Sequence, residues 1–148
     1  MEVKCIAKVA IIVASLIAFT NLLANGNQIL SPGFILIVGN YNLTMQYDCN
    51  FVLYDIHGGG HTAISASDTA NAGQKCFAQV SDNGNIGVYN GIPPNTPLWI
   101  RSSTNVNCPE YQYRINLSML GNICVVCSKA IGSPILQTGW CSNTGNGP

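Results

Sequence analysis

Charge is what this sequence has least of. Asp, Glu, Lys and Arg make up 8% of its 148 residues and cancel to a formal net charge of zero. No basic face can gather phosphates, so nucleic acid is not an expected partner. Past the first two dozen residues there is no sustained 3.6-residue apolar period with caps, so helices are not expected. A lone CxxC, Cys124 to Cys127, has no second pair, and His57 and His61 flank a triple glycine with no third ligand evident. Neither pattern supports a metal centre. No Gly-x-Ser-x-Gly elbow places a serine for catalysis. No enzyme activity, metal or cofactor is therefore expected. Disorder is excluded as well, because 47% hydrophobic residues can build a core.

Part of that apolar content is concentrated at the start. Lys4 and Lys8 precede the run VAIIVASLIAF, residues 9 to 19, and a small residue follows at Ala24. A basic start, about a dozen apolar residues and a small residue describe a secretory signal peptide over 1–24. The run is short of the roughly 20 residues a membrane span needs. The expected product is secreted, extracellular or vacuolar, with no membrane attachment once the leader is removed. Cys5 would leave with the leader, and six cysteines stay: Cys49, Cys76, Cys108, Cys124, Cys127 and Cys141. An even number in a secreted chain reads as disulfides. Residues three apart in a strand face opposite sides, so Cys124 and Cys127 belong to separate bridges. The sequons at Asn42 and Asn116 are candidate glycan acceptors, and either could lie unused in a strand.

The rest is a series of short runs rich in Ile, Val, Leu, Tyr and Phe: GFILIV, YNLTMQY, FVLYDI, CFAQVS, IGVYN, PLWIRSS, YRINLSM, ICVVCS and PILQT. Clusters of Gly, Asn, Pro and Ser separate them, which indicates an all-β domain. Three segments repeat: TMQYDCNFVLYD, AQVSDNGNIGVYN and INLSMLGNICVVC. They are anchored on Asn50, Asn85 and Asn122, at separations of 35 and 37 residues. A second element follows each, at 63 to 67, 97 to 102 and 134 to 138. Three such units would pack as similar sheets around a pseudo-threefold axis.

The first repeat carries the candidate site. In QYDCNFVLY, the residues Gln46, Asp48, Asn50, Val52 and Tyr54 share one parity. A straight strand would hold Gln46 and Tyr54 about 26 Å apart. A reversal brings them together, and Asp-Asn-Gly-Asn and Gly-Asn at the equivalent places in the other repeats are turn signals. A two-residue turn at Cys49 and Asn50 would send Val52 to the opposite face from Gln46. A three-residue turn over Asp48 to Asn50 pairs Gln46 with Val52 and Thr44 with Tyr54. It also keeps Leu43, Met45, Phe51 and Leu53 together on the core side, so the three-residue turn is expected. The resulting patch offers a carboxylate, two amides, a phenol and an aliphatic contact. It could be a solvated polar strand face or a site for a polyol held through its hydroxyls.

The pattern Gln46-x-Asp48-x-Asn50-x-Val52-x-Tyr54 resembles the sugar-binding signature of the bulb-type, or monocot, mannose-binding lectins. The resemblance spans roughly residues 26–144. It implies a β-prism of three four-stranded antiparallel sheets, no catalysis, and mannose-containing glycans as partners. It further implies that Asp48 and Asn50 hold the axial 2-hydroxyl of mannose, Gln46 the 3-hydroxyl and Tyr54 the 4-hydroxyl, with Val52 against the ring. It implies a Cys49–Cys76 disulfide, while the four later cysteines allow three connectivities. Cys108 and Cys141 could also pair between chains. Homodimers built by exchange of C-terminal strands and a defence role are further implications. Repeat two keeps only Asn85 and Tyr89 of the signature and repeat three only Asn122, so one working site per chain is expected. The family's tryptophan after Pro-Ile survives only as Trp99, with Ser65 and Leu136 in the other places and Trp140 nearby. The eroded repeats leave another reading open, a protein-interaction or storage module on the same scaffold.

Overall fold

A computed structural model describes residues 28–101, 108, 112–129, 134–135 and 137–144. The leader expected over 1–24 lies outside the described residues. The elements are β1 (Ile29–Leu30), β2 (Ile35–Val38), β3 (Tyr41–Met45), β4 (Phe51–Asp55), a short 3-10 turn (His57–Gly59), β5 (Thr62–Ala66), β6 (Phe77–Val80), β7 (Ile86–Tyr89), β8 (Pro97–Arg101), β9 (Gln112–Leu117), β10 (Ile123–Ser128) and β11 (Gln137–Cys141). They form three antiparallel sheets, ordered β2-β3-β4-β5, β1-β6-β7-β8 and β11-β10-β9. The third sheet has three strands among the described residues, where the sequence reading expects four.

Each repeat supplies one central hairpin, and the three are in the same register. Asn50, Asn85 and Asn122 each return a carbonyl to the N–H four residues earlier, at 2.8, 2.8 and 2.9 Å. Inward-facing positions then coincide around the axis: Leu43, Ala78 and Ile115; Met45, Val80 and Leu117; Phe51, Ile86 and Ile123; Leu53, Val88 and Val125. All twelve are buried in one core cluster. Alternation along a strand makes this possible, since every second residue shares a face. Burying each of the larger side chains contributes about 1.5–3 kcal/mol.

The turn differs in register from the expectation. Thr44 pairs with Val52 and Asn42 with Tyr54, so the loop is Tyr47, Asp48 and Cys49 rather than Asp48 to Asn50. Parity is unchanged and the faces stand as inferred. The cause is local. A β-turn from Gln46 ends on a residue at positive φ, Cys49 at 80°. Gly84 (78°) and Gly121 (76°) hold the same place in the other hairpins, the arrangement favoured in three-residue loops. At Gly121 a Cβ would also stand 2.5 Å from the Tyr41 ring. Gly121→Ala is therefore expected to cost about 2 kcal/mol in urea denaturation, through backbone strain and overpacking together.

Two strands sit outside the simple repeat. β1 leaves the first unit and pairs with β6 of the second sheet. Just before it, the buried Gln28 accepts the Ile115 N–H through its side-chain oxygen at 2.7 Å. β11 begins at Gln137, later than the PILQT run suggests. Its register sets Trp140 opposite Val125, as Trp99 stands opposite Val88 and Ser65 opposite Leu53. Trp140 therefore takes the third tryptophan place that the sequence reading gives to Leu136, itself outside the described residues. The bridges are Cys49–Cys76, Cys108–Cys127 and Cys124–Cys141. Cys124 and Cys127 do fall in separate bridges. The C-terminal strand pairs here with β10 of its own chain, and Cys108 and Cys141 each bond within it.

Candidate functional site

Gln46, Asn50, Val52 and Tyr54 lie on the outward face of the β3–β4 hairpin, with Asp48 at the tip of its loop. The Asp48 Oδ1 accepts the Asn50 N–H at 3.0 Å, and the Asp48 carbonyl accepts the Asn71 N–H at 2.6 Å. The loop is thus tied from two sides while the carboxylate stays exposed. An ionised carboxylate has about four acceptor positions, and only one is used by the turn.

Asn50 is oriented from behind. Its Oδ1 accepts the Ser67 hydroxyl at 3.1 Å and the Thr69 N–H at 3.3 Å. With the oxygen engaged, both amide N–H donors remain for an outside acceptor. Ser67 and Thr69 are themselves buried, at 6% and 4% exposure. The Ser67 hydroxyl also accepts the Phe51 N–H at 2.9 Å, and the Thr69 hydroxyl donates to the Cys49 carbonyl at 2.6 Å. Neither residue was picked out from the sequence. A signal existed: Ser67-Asp-Thr69 recurs as Ser142-Asn-Thr144, and the bonds repeat with it. Ile123 N–H reaches the Ser142 hydroxyl at 3.0 Å, and the Thr144 hydroxyl reaches the Gly121 carbonyl at 2.8 Å.

Across the hairpin the Gln46 Nε2 donates to the Tyr54 hydroxyl oxygen at 2.8 Å. Gln46 keeps its acceptor oxygen, and Tyr54 keeps its proton to donate. His61 stands edge-on to the Tyr54 ring, 6.1 Å between centroids. The Gln46–Tyr54 bond crosses above the Thr44–Val52 pair, and Val52 is only 2% exposed. Val52 forms the floor of the patch and presents little surface of its own. Of the two sequons, Asn42 lies in β3 opposite Tyr54 and Asn116 lies in β9.

The equivalent faces of the other repeats are filled from within. In the second, the Asn83 Oδ1 accepts the Asn85 N–H, copying the Asp48 turn without its charge. Tyr89 stacks on Phe77 at 5.6 Å, and a Cβ at Gly87 would meet the Tyr89 ring at 2.9 Å. In the third, the place of Val52 is taken by Cys124, bridged to Cys141, and the place of Tyr54 by Val126. Among the described residues no group of three His, Cys, Asp or Glu could hold a metal ion. His57, exposed, contacts the Asn40 amide at 2.9 Å.

No protein-family profile matches the chain. A mannose-specific lectin from Aloe arborescens is 32% identical over 113 residues, which is 76% of this chain and 92% of that one. Several further mannose-specific lectins align over 41% to 59% of their own length, so the chain spans about half of each. Among solved structures, a monomeric monocot mannose-binding lectin from Gastrodia elata superposes with a TM-score of 0.62 at 26% identity, covering 80% of this chain and 96% of that one. The lectin of Polygonatum cyrtonema, solved in complex with a monomannoside, gives 0.54 at 30% identity, covering 83% and 100%.

Proposed function

Because this chain belongs to the bulb-type, monocot mannose-binding lectin family, whose members bind carbohydrate rather than transform it, we propose that it recognises mannose on glycans through the Asp48 hairpin. The observation that carries the reading is the fixed polarity of the patch. Asp48 can only accept, the outward side of Asn50 can only donate, Gln46 has an acceptor left and Tyr54 a proton. A sugar hydroxyl both donates and accepts. One hydroxyl between Asp48 and Asn50 satisfies both, which suits the axial 2-hydroxyl of mannose. The 3-hydroxyl then falls to Gln46 and the 4-hydroxyl to Tyr54, with the ring above Val52. A bond to an ionised carboxylate is the stronger kind.

One such site serves each chain in this reading, since the other two faces lack the carboxylate. A lone shallow site binds weakly, so useful retention needs several chains or a clustered glycan. Secretion and a defence role against organisms that display mannose complete the proposal. The test is passage over immobilised mannan. Retention with elution by free mannose supports it, and passage without retention at high protein concentration removes it.

A second reading, a lectin scaffold kept for protein contacts or storage, draws on the filled second and third faces and on the small exposure of Val52. The mannan column separates the two. Ser67→Ala gives a further check. It should cost about 1–3 kcal/mol in denaturant unfolding, because the Phe51 N–H is left buried without its acceptor. By freeing the Asn50 amide to turn, it should also weaken mannose binding several-fold in titration.

A further inference from the structure

A cavity of about 300 Å³ opens at one end of the pseudo-threefold axis. Its floor is Phe51, Ile86 and Ile123, one residue from each repeat at the same register position. Its walls come from the second elements, and there the symmetry fails. Trp99 and Trp140 occupy two equivalent places, and Ser65 occupies the third. Two indoles thus face a gap where a third ring would stand. Arg101 lies at the rim, its guanidinium 6.0 Å from the Trp99 ring centroid.

The geometry points to a second ligand site on this protein, on the inward side of the Asp48 hairpin and apart from its outward patch: an axial pocket for a small planar aromatic molecule of about indole size, with an anionic substituent directed at Arg101. Flat aromatic walls favour an aromatic guest through offset or edge-to-face contact, which adds to the burial of its surface. The lining is mixed, with Ser67, Ser142, Asn143 and Thr144 beside the two indoles, and a planar guest stacked on the indoles gains dispersion contacts with them. The serine hydroxyl opposite the indoles leaves room that a larger side chain would close. Arg101 adds selectivity for an anion at an exposed position, where the gain is modest.

The chain contains two tryptophans, and both line this pocket. Their two indole N–H signals in a proton–nitrogen NMR spectrum therefore report on it alone. Titration with indole and with indole-3-carboxylate is expected to shift both signals saturably. Arg101→Gln should weaken indole-3-carboxylate about threefold and leave indole unchanged. Ser65→Trp should abolish binding of both while the spectrum stays dispersed, and Ser65→Leu provides the same obstruction if the larger residue does not fold. Absence of a saturable shift in the natural protein overturns the proposal. So does undiminished binding to a folded Ser65 variant, or a response of the two signals to mannose and not to indole.

Discussion

Asp48→Ala is expected to abolish retention on immobilised mannan, and Asp48→Asn to do nearly the same with the fold intact. The two variants separate the two tasks of this side chain. Its Oδ1 caps the turn by accepting the Asn50 N–H. Asparagine can do that as well, as Asn83 does in the second repeat. Only the carboxylate offers a charged acceptor to a sugar hydroxyl. Hydrogen bonds to a charged group contribute about 1.5–3 kcal/mol, so Asp48→Asn should weaken mannose binding about ten- to a hundredfold. Its unfolding free energy in urea should stay within a few tenths of a kcal/mol of the natural protein's. Asp48→Ala should bind as poorly and lose about 1 kcal/mol of stability besides, the worth of an ordinary hydrogen bond. Titration calorimetry and urea melts measure both. Undiminished mannose affinity in Asp48→Asn would remove the carboxylate from the proposed site.

Removing the Cys49–Cys76 bridge should produce the largest loss of stability. The bridge closes a loop of 27 residues' separation. Constraining the unfolded chain over that length contributes about 3.5 kcal/mol in the loop-entropy picture. A particular asymmetry is expected because Cys49 sits at positive φ, where the other hairpins have glycine. Cys49→Ala with Cys76→Ala loses the bridge and keeps the backbone strain. Cys49→Gly with Cys76→Ala loses the bridge and relieves it. The glycine version should be more stable by about 1 kcal/mol. Both should melt on the order of 10 °C below the natural protein. Equal melting of the two would show that the backbone at residue 49 is not strained.

The comparison of those hairpins shows which features were legible in the sequence. The period-2 alternation and the Asn anchors were enough to find three equivalent units, their inward faces and the shared parity of the five signature residues. Parity survives a shift of two residues, so the register error at the first turn left every face in place. Propensity does not reveal the shift, because cysteine is not a turn residue. The glycines before Asn85 and Asn122 mark the αL position that Cys49 occupies, but a search anchored on asparagine passes over them. The third tryptophan place is hidden for a similar reason. The Pro-Ile of residues 134 and 135 matched an expected motif, whereas strand pairing with β10 places Trp140 in the position. β1 is two residues long, too short to give a pattern. Ser67 and Thr69 act through hydrogen bonds that link residues far apart in sequence, and no local periodicity reveals such bonds.

The position of β1 sets an order of events. Its partner β6 begins nearly fifty residues downstream, and the Gln28 side chain waits for Ile115, 87 positions away. A chain emerging from its N-terminus can complete the first hairpin early, since β3 and β4 are adjacent. It can pair β1 with β6 once residue 80 is made, but it cannot seat the Gln28 side chain until Ile115 has been synthesised. Until Ile115 is in place the Gln28 side chain has no seat on the third hairpin. Shortening the N-terminus past Gln28 should therefore leave three hairpins able to form and pack, without the hydrogen-bonded link that Gln28 makes between Val80 of the second and Ile115 of the third.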